Sequence, residues 1–286
     1  MADKRQLDKR TTPARADLAA AHLKGVVDAP RYVEGTRRSV WVGRAALRVR
    51  PSDEAAQDSE LLFGESFTVY ERANGWAWGQ AQNDSYVGYV EDAALTTAFA
   101  VQSKVTALMA PAFIGPDLKR SVQDILPLNA AVSVLGRIDD YVEIESGLFL
   151  HQRHIAPLDH NDFVAVAERF VGVSYVWGGK TYAGLDCSGL IQTALAATGV
   201  AAPRDTDMME KELGVAVDAA TRRGDVAPKA RRGDIVFWKG HMGVMVDSTR
   251  LLHANAYHMS TVIEPLAEVV ARIEKVAGPV TTIRRP

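Results

Sequence analysis

The sequence predicts an α+β protein: two small β-barrels, then a domain that runs helices first and an antiparallel sheet after them. Three observations carry this. From Ser39 the chain breaks into β-type runs of about five residues separated by turn residues. A stretch of that texture recurs about 60 residues later. After Pro157 helical periodicity sets in, followed again by short apolar strands.

The N-terminal segment, residues 1–35, is predicted to hold a short helix over Ala14 to Leu23 and then a Gly- and Pro-containing stretch. The first barrel, residues 36–98, is assembled from SVWVG, ALRVR, ESFTVYERA, GWAWGQA and SYVGYV, with Pro51, Asn74-Gly75 and Asn83-Asp84 marking the breaks. The second, residues 99–158, follows from the echo. SELLFGESFTVYERANGWAWGQ at 59–80 lies over QDILPLNAAVSVLGRIDDYVEIES at 123–146 with similar apolar spacing, and each leads to an Ala-containing exit, YVGYVEDAAL or LFLHQRHIAPL. The last domain, residues 159–286, opens with HNDFVAVAERFV, a helix capped by Asn161 or Asp162 with Phe163, Val166, Ala167 and Phe170 on one face. CSGLIQTALAATG is a second helix, capped by Asp186 and ended by Gly199. DIVFW, HMGVMVD, RLLHANA and STVIEPL then read as strands.

Composition narrows the function. The 286 residues (31.1 kDa) are 47% apolar and 24% charged, the usage of a globular chain with a real core, which excludes disorder, collagen and coiled coil. With 33 Lys+Arg against 35 Asp+Glu there is no basic field to hold a polyphosphate, so a nucleic-acid partner is not expected. No run reaches the roughly 18 apolar residues that span a bilayer, so no membrane partner is expected either. The first 28 residues are dense in charge and hold no apolar run of signal-peptide length, which sets a cytoplasmic expectation. The single cysteine, Cys187, excludes an internal disulfide and a Cys-rich zinc site.

Cys187 stands just inside the start of the second helix, where unpaired N–H groups and the positive dipole end favour a thiolate. A sulfur nucleophile needs a base on a facing element. His241 and His253 fall on adjacent predicted strands, and a hairpin would set the two rings side by side, one taking the sulfur's proton and the other fixing its orientation. Against this, a lone cysteine in a helix is more often a small buried hydrophobe. His22, His151, His154, His160 and His258 read as satisfied surface or core residues, and Asp234 as a turn residue.

The flanking motifs are more specific. SYVWGGKTYAGLDCSGLIQ, PRDT, RRGDIVFWKGHMGVMVD and LLHANA, in that order, resemble the NlpC/p60 cysteine peptidase family over roughly residues 160–286. LLFGE, ANGW and YVGYV resemble the turns and closing strand of bacterial SH3-like domains, the second copy having lost the first's glycines and tryptophans. The resemblance implies a papain-like NlpC-type catalytic domain preceded by two SH3-like barrels. Cys187 then matches the nucleophile, His241 the base and His253 the orienting residue. Tyr175 matches a tyrosine that helps hold the oxyanion beside the Cys187 amide, and Trp177, with Gly178 and Gly179, shapes the wall. Asp186, Ser188, Asp205 and Thr206 match groups that hold the substrate's ammonium and backbone. The domain order resembles recycling enzymes that act on free L-Ala-γ-D-Glu-diaminopimelate fragments. It implies hydrolysis of the γ-D-glutamyl to L-diamino acid bond, the diamino acid being meso-diaminopimelate or lysine, with no metal or organic cofactor. A first barrel over the cleft would offer Glu54, Tyr86 and Tyr89 to the substrate's amino group. Two rival readings are an NlpC-type amidase or endopeptidase on intact peptidoglycan stems, and a murein-binding SH3-like protein with an inactive catalytic domain.

Overall fold

The computed structural model describes residues 7–156, 162–217 and 230–286. His160, Asn161 and the expected boundary at 158/159 lie outside them. The chain separates into two units, residues 1–156 and 157–286.

The first unit is all β. Its larger sheet has seven strands in the order Gln57–Leu62, Arg44–Arg48, Val87–Glu91, Trp76–Ala81, Ser66–Ala73, Thr36–Val40, Leu95–Thr97. Alternation sends Val40, Leu47, Leu61, Phe67 and Val90 into one core. Asn74 (φ 51°) and Gly75 (φ 81°) are both left-handed, as a two-residue hairpin turn between right-twisted strands requires. The next sheet runs Val122–Pro127, Met109–Phe113, Phe149–His151, Tyr141–Ile144, Val134–Ile138, which repeats the order of the first five strands of its predecessor. Ser103–Val105 pairs with Ile155–Ala156 as Thr36–Val40 pairs with Leu95–Thr97. Left-handed backbone recurs in step: Gly64 (φ 78°) answers Asn129 (φ 72°), and Asn74 answers Asp139 (φ 50°).

Two expectations fail in this unit. Among the described residues neither sheet pairs its outer strands, so the barrels are not closed by hydrogen bonds. In the first sheet the gap is bridged by side chains, because Leu61 and Leu95 from opposite edges share the one core. The helix expected over Ala14 to Leu23 is also absent. Ala19–Ala20 instead pairs in parallel with Tyr32–Val33, followed by a 3-10 turn at Ala21–Leu23. Tertiary contacts override the helical pattern: Leu18 and Ala20 pack with Tyr70 and Trp78, and the Arg15 guanidinium lies 4.5 Å over the Trp78 ring while pairing with Asp17 and Glu71.

In the second unit, α1 (Phe163–Glu168) starts at Asp162, whose carboxylate accepts from the Val164 and Ala165 N–H groups at 2.9 and 3.2 Å. The helix α2 (Cys187–Ala197) starts at Asp186, and left-handed Gly199 (φ 80°) follows its end. An antiparallel sheet runs Val215–Ala216, Thr282–Arg285, Ile235–Trp238, His241–Met245, Arg250–Asn255, Ser260–Pro265. Sequence reading missed the last of the chain's strands and two helices, α3 (Thr206–Glu212) and α4 (Leu266–Ala277). Leu266, Val269 and Ile273 of α4 pack with Val236, Trp238, Met245, Leu251 and Ile283 of the sheet. Asp234 is more than a turn residue. Fully buried, it accepts from the Arg231 N–H and both prongs of Arg285, at 2.7 and 2.8 Å, and so ties the last strand to the sheet.

Candidate active site

The site begins with how α2 is started. The Asp186 carboxylate accepts from the N–H groups of Gly189 (2.7 Å) and Gly178 (2.8 Å), so the loop before α2 and its first turn share one acceptor. The buried guanidinium of Arg204, 1% exposed, closes on the same carboxylate at 2.6 and 3.0 Å and donates to Ser188 Oγ at 2.8 Å. Gly189 must be glycine, because a Cβ there would stand 2.0 Å from the Gly179 carbonyl oxygen. This clamp fixes Cys187, the first residue of α2, which is 8% exposed. Its Sγ lies 3.7 Å from Thr206 Oγ1 at the start of α3 and accepts from the backbone N–H of Met242, the residue that follows His241.

The histidine side is built on the sheet. His241 opens its strand immediately after the hairpin turn from Trp238. The pairing of Val244 with Leu252 continues to bring Gly243 opposite His253, and a Cβ at Gly243 would stand 3.0 Å from the His253 Cβ. The missing side chain leaves room for the ring, and His241 Nε2 lies 2.8 Å from His253 Nδ1. His253 is in turn 2.8 Å through Nε2 from Glu264 Oε2, and Glu264 is gripped by Arg272 of α4 at 2.6 and 2.8 Å and by His258 at 3.1 Å. Glu264 and Arg272 were not singled out from sequence. The signal was present: His253 faces Val262 across the strands, so Glu264, two residues on, is its diagonal neighbour on the same face.

Burial, and after it the Asp186 carboxylate, push the Cys187 thiol up to about 11, over the opposing pull of Thr206, the Met242 amide and Arg204. Burial, then the charges of His253 and Arg272, bring His241 down to about 3. The resting pair is therefore thiol and neutral imidazole. Desolvation of the sulfur and the neighbouring Asp186 carboxylate work against the thiolate that the helix dipole favours. Burial also lowers His253, with Glu264 acting against it. Glu264 would be raised by its own burial, but hydrogen bonds from Arg272, His253 and His258 outweigh that and hold it at about 2. Burial first, then electrostatic interaction with Cys187 and Asp186, raise Tyr175, which keeps its phenol protonated as a donor next to the nucleophile.

The other predicted residues are placed as follows. Ser188 is buried on Arg204, and both Asp186 oxygens are filled by internal donors, so that carboxylate has no site left for a substrate ammonium. Asp205 is the N-cap residue of α3, its carbonyl accepting from Met208 and Met209 N–H. Trp177, expected to shape the wall, is 66% exposed beside Gly178 (φ 74°). Glu54 is an exposed residue of the turn after Pro51. Tyr86, 4% exposed, is a core residue of the first sheet, which removes it as a ligand for an amino group. The Tyr89 hydroxyl accepts from Arg15 at 3.1 Å, so it serves to dock the N-terminal segment.

Residues 172–273 match the NlpC/P60 family, and residues 47–95 match the bacterial dipeptidyl-peptidase Sh3 domain. The second unit carries an NlpC/P60 domain. The chain is 24% identical to the gamma-D-glutamyl-L-lysine dipeptidyl-peptidase of Bacillus cereus (strain ATCC 10987 / NRS 248), over 95% of this chain and 91% of that protein. It is 32% identical to dipeptidyl-peptidase 6 of Lysinibacillus sphaericus, over 32% of this chain and 31% of that one. The crystal structure of an NlpC/P60 family protein from Bacillus cereus superposes with a TM-score of 0.70 at 18% identity, covering 87% of this chain and 99% of the other, which shows the shared fold. The clamp on α2 and the histidine pair both lie within the matched stretch.

Proposed function

We propose that the protein is a cysteine endopeptidase that hydrolyses the γ-D-glutamyl to L-diamino acid bond of free murein peptides bearing an N-terminal L-Ala. The observation that carries the reading is Cys187 held at the start of α2 against the Met242 amide, with the adjoining His241 bonded to His253. The similarity to a gamma-D-glutamyl-L-lysine dipeptidyl-peptidase extends over 95% of the chain and supports the substrate class. We read the second sheet as a second SH3-like domain, because its strand order repeats that of the first. The setting proposed is the cytoplasm, where the substrates are free fragments.

The chemistry begins from the neutral pair. His241 commits Nε2 to His253 and works through Nδ1. As the sulfur attacks the γ-carbonyl carbon, the thiol proton passes to that nitrogen, the C–S bond forms, and the carbonyl oxygen takes the negative charge under the protonated Tyr175. The C–N bond then breaks, His241 returns the proton to the departing diamino-acid amine, and water with His241 as base hydrolyses the thioester to free L-Ala-D-Glu.

The test is product analysis with synthetic L-Ala-γ-D-Glu-meso-diaminopimelate and its lysine counterpart. Release of L-Ala-D-Glu by the native chain, and its loss in a folded Cys187→Ser variant, is the expected result. Failure to cleave either tripeptide refutes the proposal, and cleavage of intact sacculi at an equal rate moves the substrate to wall-attached stems.

A further inference from the structure

The row His241, His253, Glu264, Arg272 runs beyond a catalytic pair. We infer that Glu264 is a positioning residue that sets which nitrogen of His241 carries the proton, and that Arg272 keeps it able to do so. The inference rests on the proposed peptidase chemistry for its meaning, although its geometry stands alone.

An ionised carboxylate can only accept a hydrogen bond. Both oxygens of Glu264 are engaged by Arg272, at 2.8 Å on Oε1 and 2.6 Å on Oε2, which holds the group in that form. His253 Nε2 sits 2.8 Å from Oε2, so in neutral His253 the one ring proton must be on Nε2. Its Nδ1 is then a lone pair. That lone pair lies 2.8 Å from His241 Nε2, which must therefore carry the proton of His241. The lone pair of His241 is thereby left on Nδ1, the only ring nitrogen not committed to His253. A thiol can give its proton to a ring in this state and not to its tautomer. Without the carboxylate, His253 is free to carry its proton on Nδ1 and donate to His241 Nε2, and His241 then presents an N–H where the reaction needs a base. His258, 3.1 Å from Oε1, reinforces the charge from the solvent side.

Glu264→Gln separates charge and tautomer from packing. Arg272 claims the amide oxygen of the new side chain, its NH2 turns to His253 Nε2, and the sequence of donors reverses. Long-range ¹⁵N–¹H correlation spectra of the full-length chain at pH 7 read the tautomers directly, with the rings assigned through His241→Gln and His253→Gln. The expected native result is an Nε2–H tautomer in both rings. In Glu264→Gln both move toward Nδ1–H, and kcat falls roughly 100-fold with KM unchanged. An Nδ1–H tautomer of His241 in the native protein overturns the inference, as does a Glu264→Gln variant whose rings and kcat match the native ones. Should that variant not fold, the native spectrum alone decides. Native Nε2–H tautomers in a chain that cleaves neither tripeptide uphold the inference and count against the substrate reading.

Discussion

Cysteine alkylation as a function of pH tests the electrostatics of the nucleophile. The sulfur is buried at the start of α2 with the Asp186 carboxylate in the preceding position, and its pKa is pushed from 9.0 to about 11. A shift of that size corresponds to roughly 3 kcal/mol favouring the neutral thiol. At pH 7 the thiolate is then about one molecule in 10⁴, about a hundredfold below an unshifted thiol. His241, held down to about 3, is neutral over the same range and forms no imidazolium to pair with it. Pulsed iodoacetamide labelling, with the single cysteine read by intact mass, should therefore give a rate that climbs about tenfold per pH unit from pH 5 to about pH 10, with no plateau in that range. Short pulses are needed at the alkaline end. A raised thiol contributes stability that is present below pH 9 and lost as the pH rises through 11. A rate that levels off with an apparent pKa below 7 would refute the argument, because it would reveal a thiolate already present at rest.

Arg204→Met leaves Asp186 buried without its cation, and the unfolding free energy in urea should fall by about 3–5 kcal/mol; a loss under about 1 kcal/mol would show that the pair is not holding the helix start. For His241, whose pKa drops from 6.5 to about 3 on folding, the associated stability is present above pH 6.5 and is lost as the pH falls toward 3. Urea titrations should therefore show the native protein losing about 2 kcal/mol more than His241→Gln between pH 7 and pH 5, and parallel losses would rule this out.

Some of this was legible in the sequence because local rules agree with tertiary need. Asp186 caps α2 and Gly199 ends it because both are the residue types those positions require, and the hairpin brings His241 and His253 together because strand alternation leaves them on one face. Where position depends on register or on a remote partner, the sequence is mute or misleading. Glu264 looks like one more acid in a strand until the pairing with Arg250–Asn255 is known. Ala14 to Leu23 has the composition of a helix, yet the aromatic surface of Tyr70 and Trp78 draws Leu18 and Ala20 into extended backbone. The dipole argument for Cys187 considers one local influence, and the burial and neighbouring carboxylate that oppose it appear only once the fold is known.

The clamp on α2 and the histidine row are two separate assemblies, each internally saturated with charge-assisted bonds, and the Met242 amide is where the sulfur of one meets the backbone of the other. A shift of an ångström between them leaves each network's own bonds in place, yet moves the sulfur relative to the histidine row. Turnover therefore gauges how these halves are seated against one another more directly than the integrity of either network does.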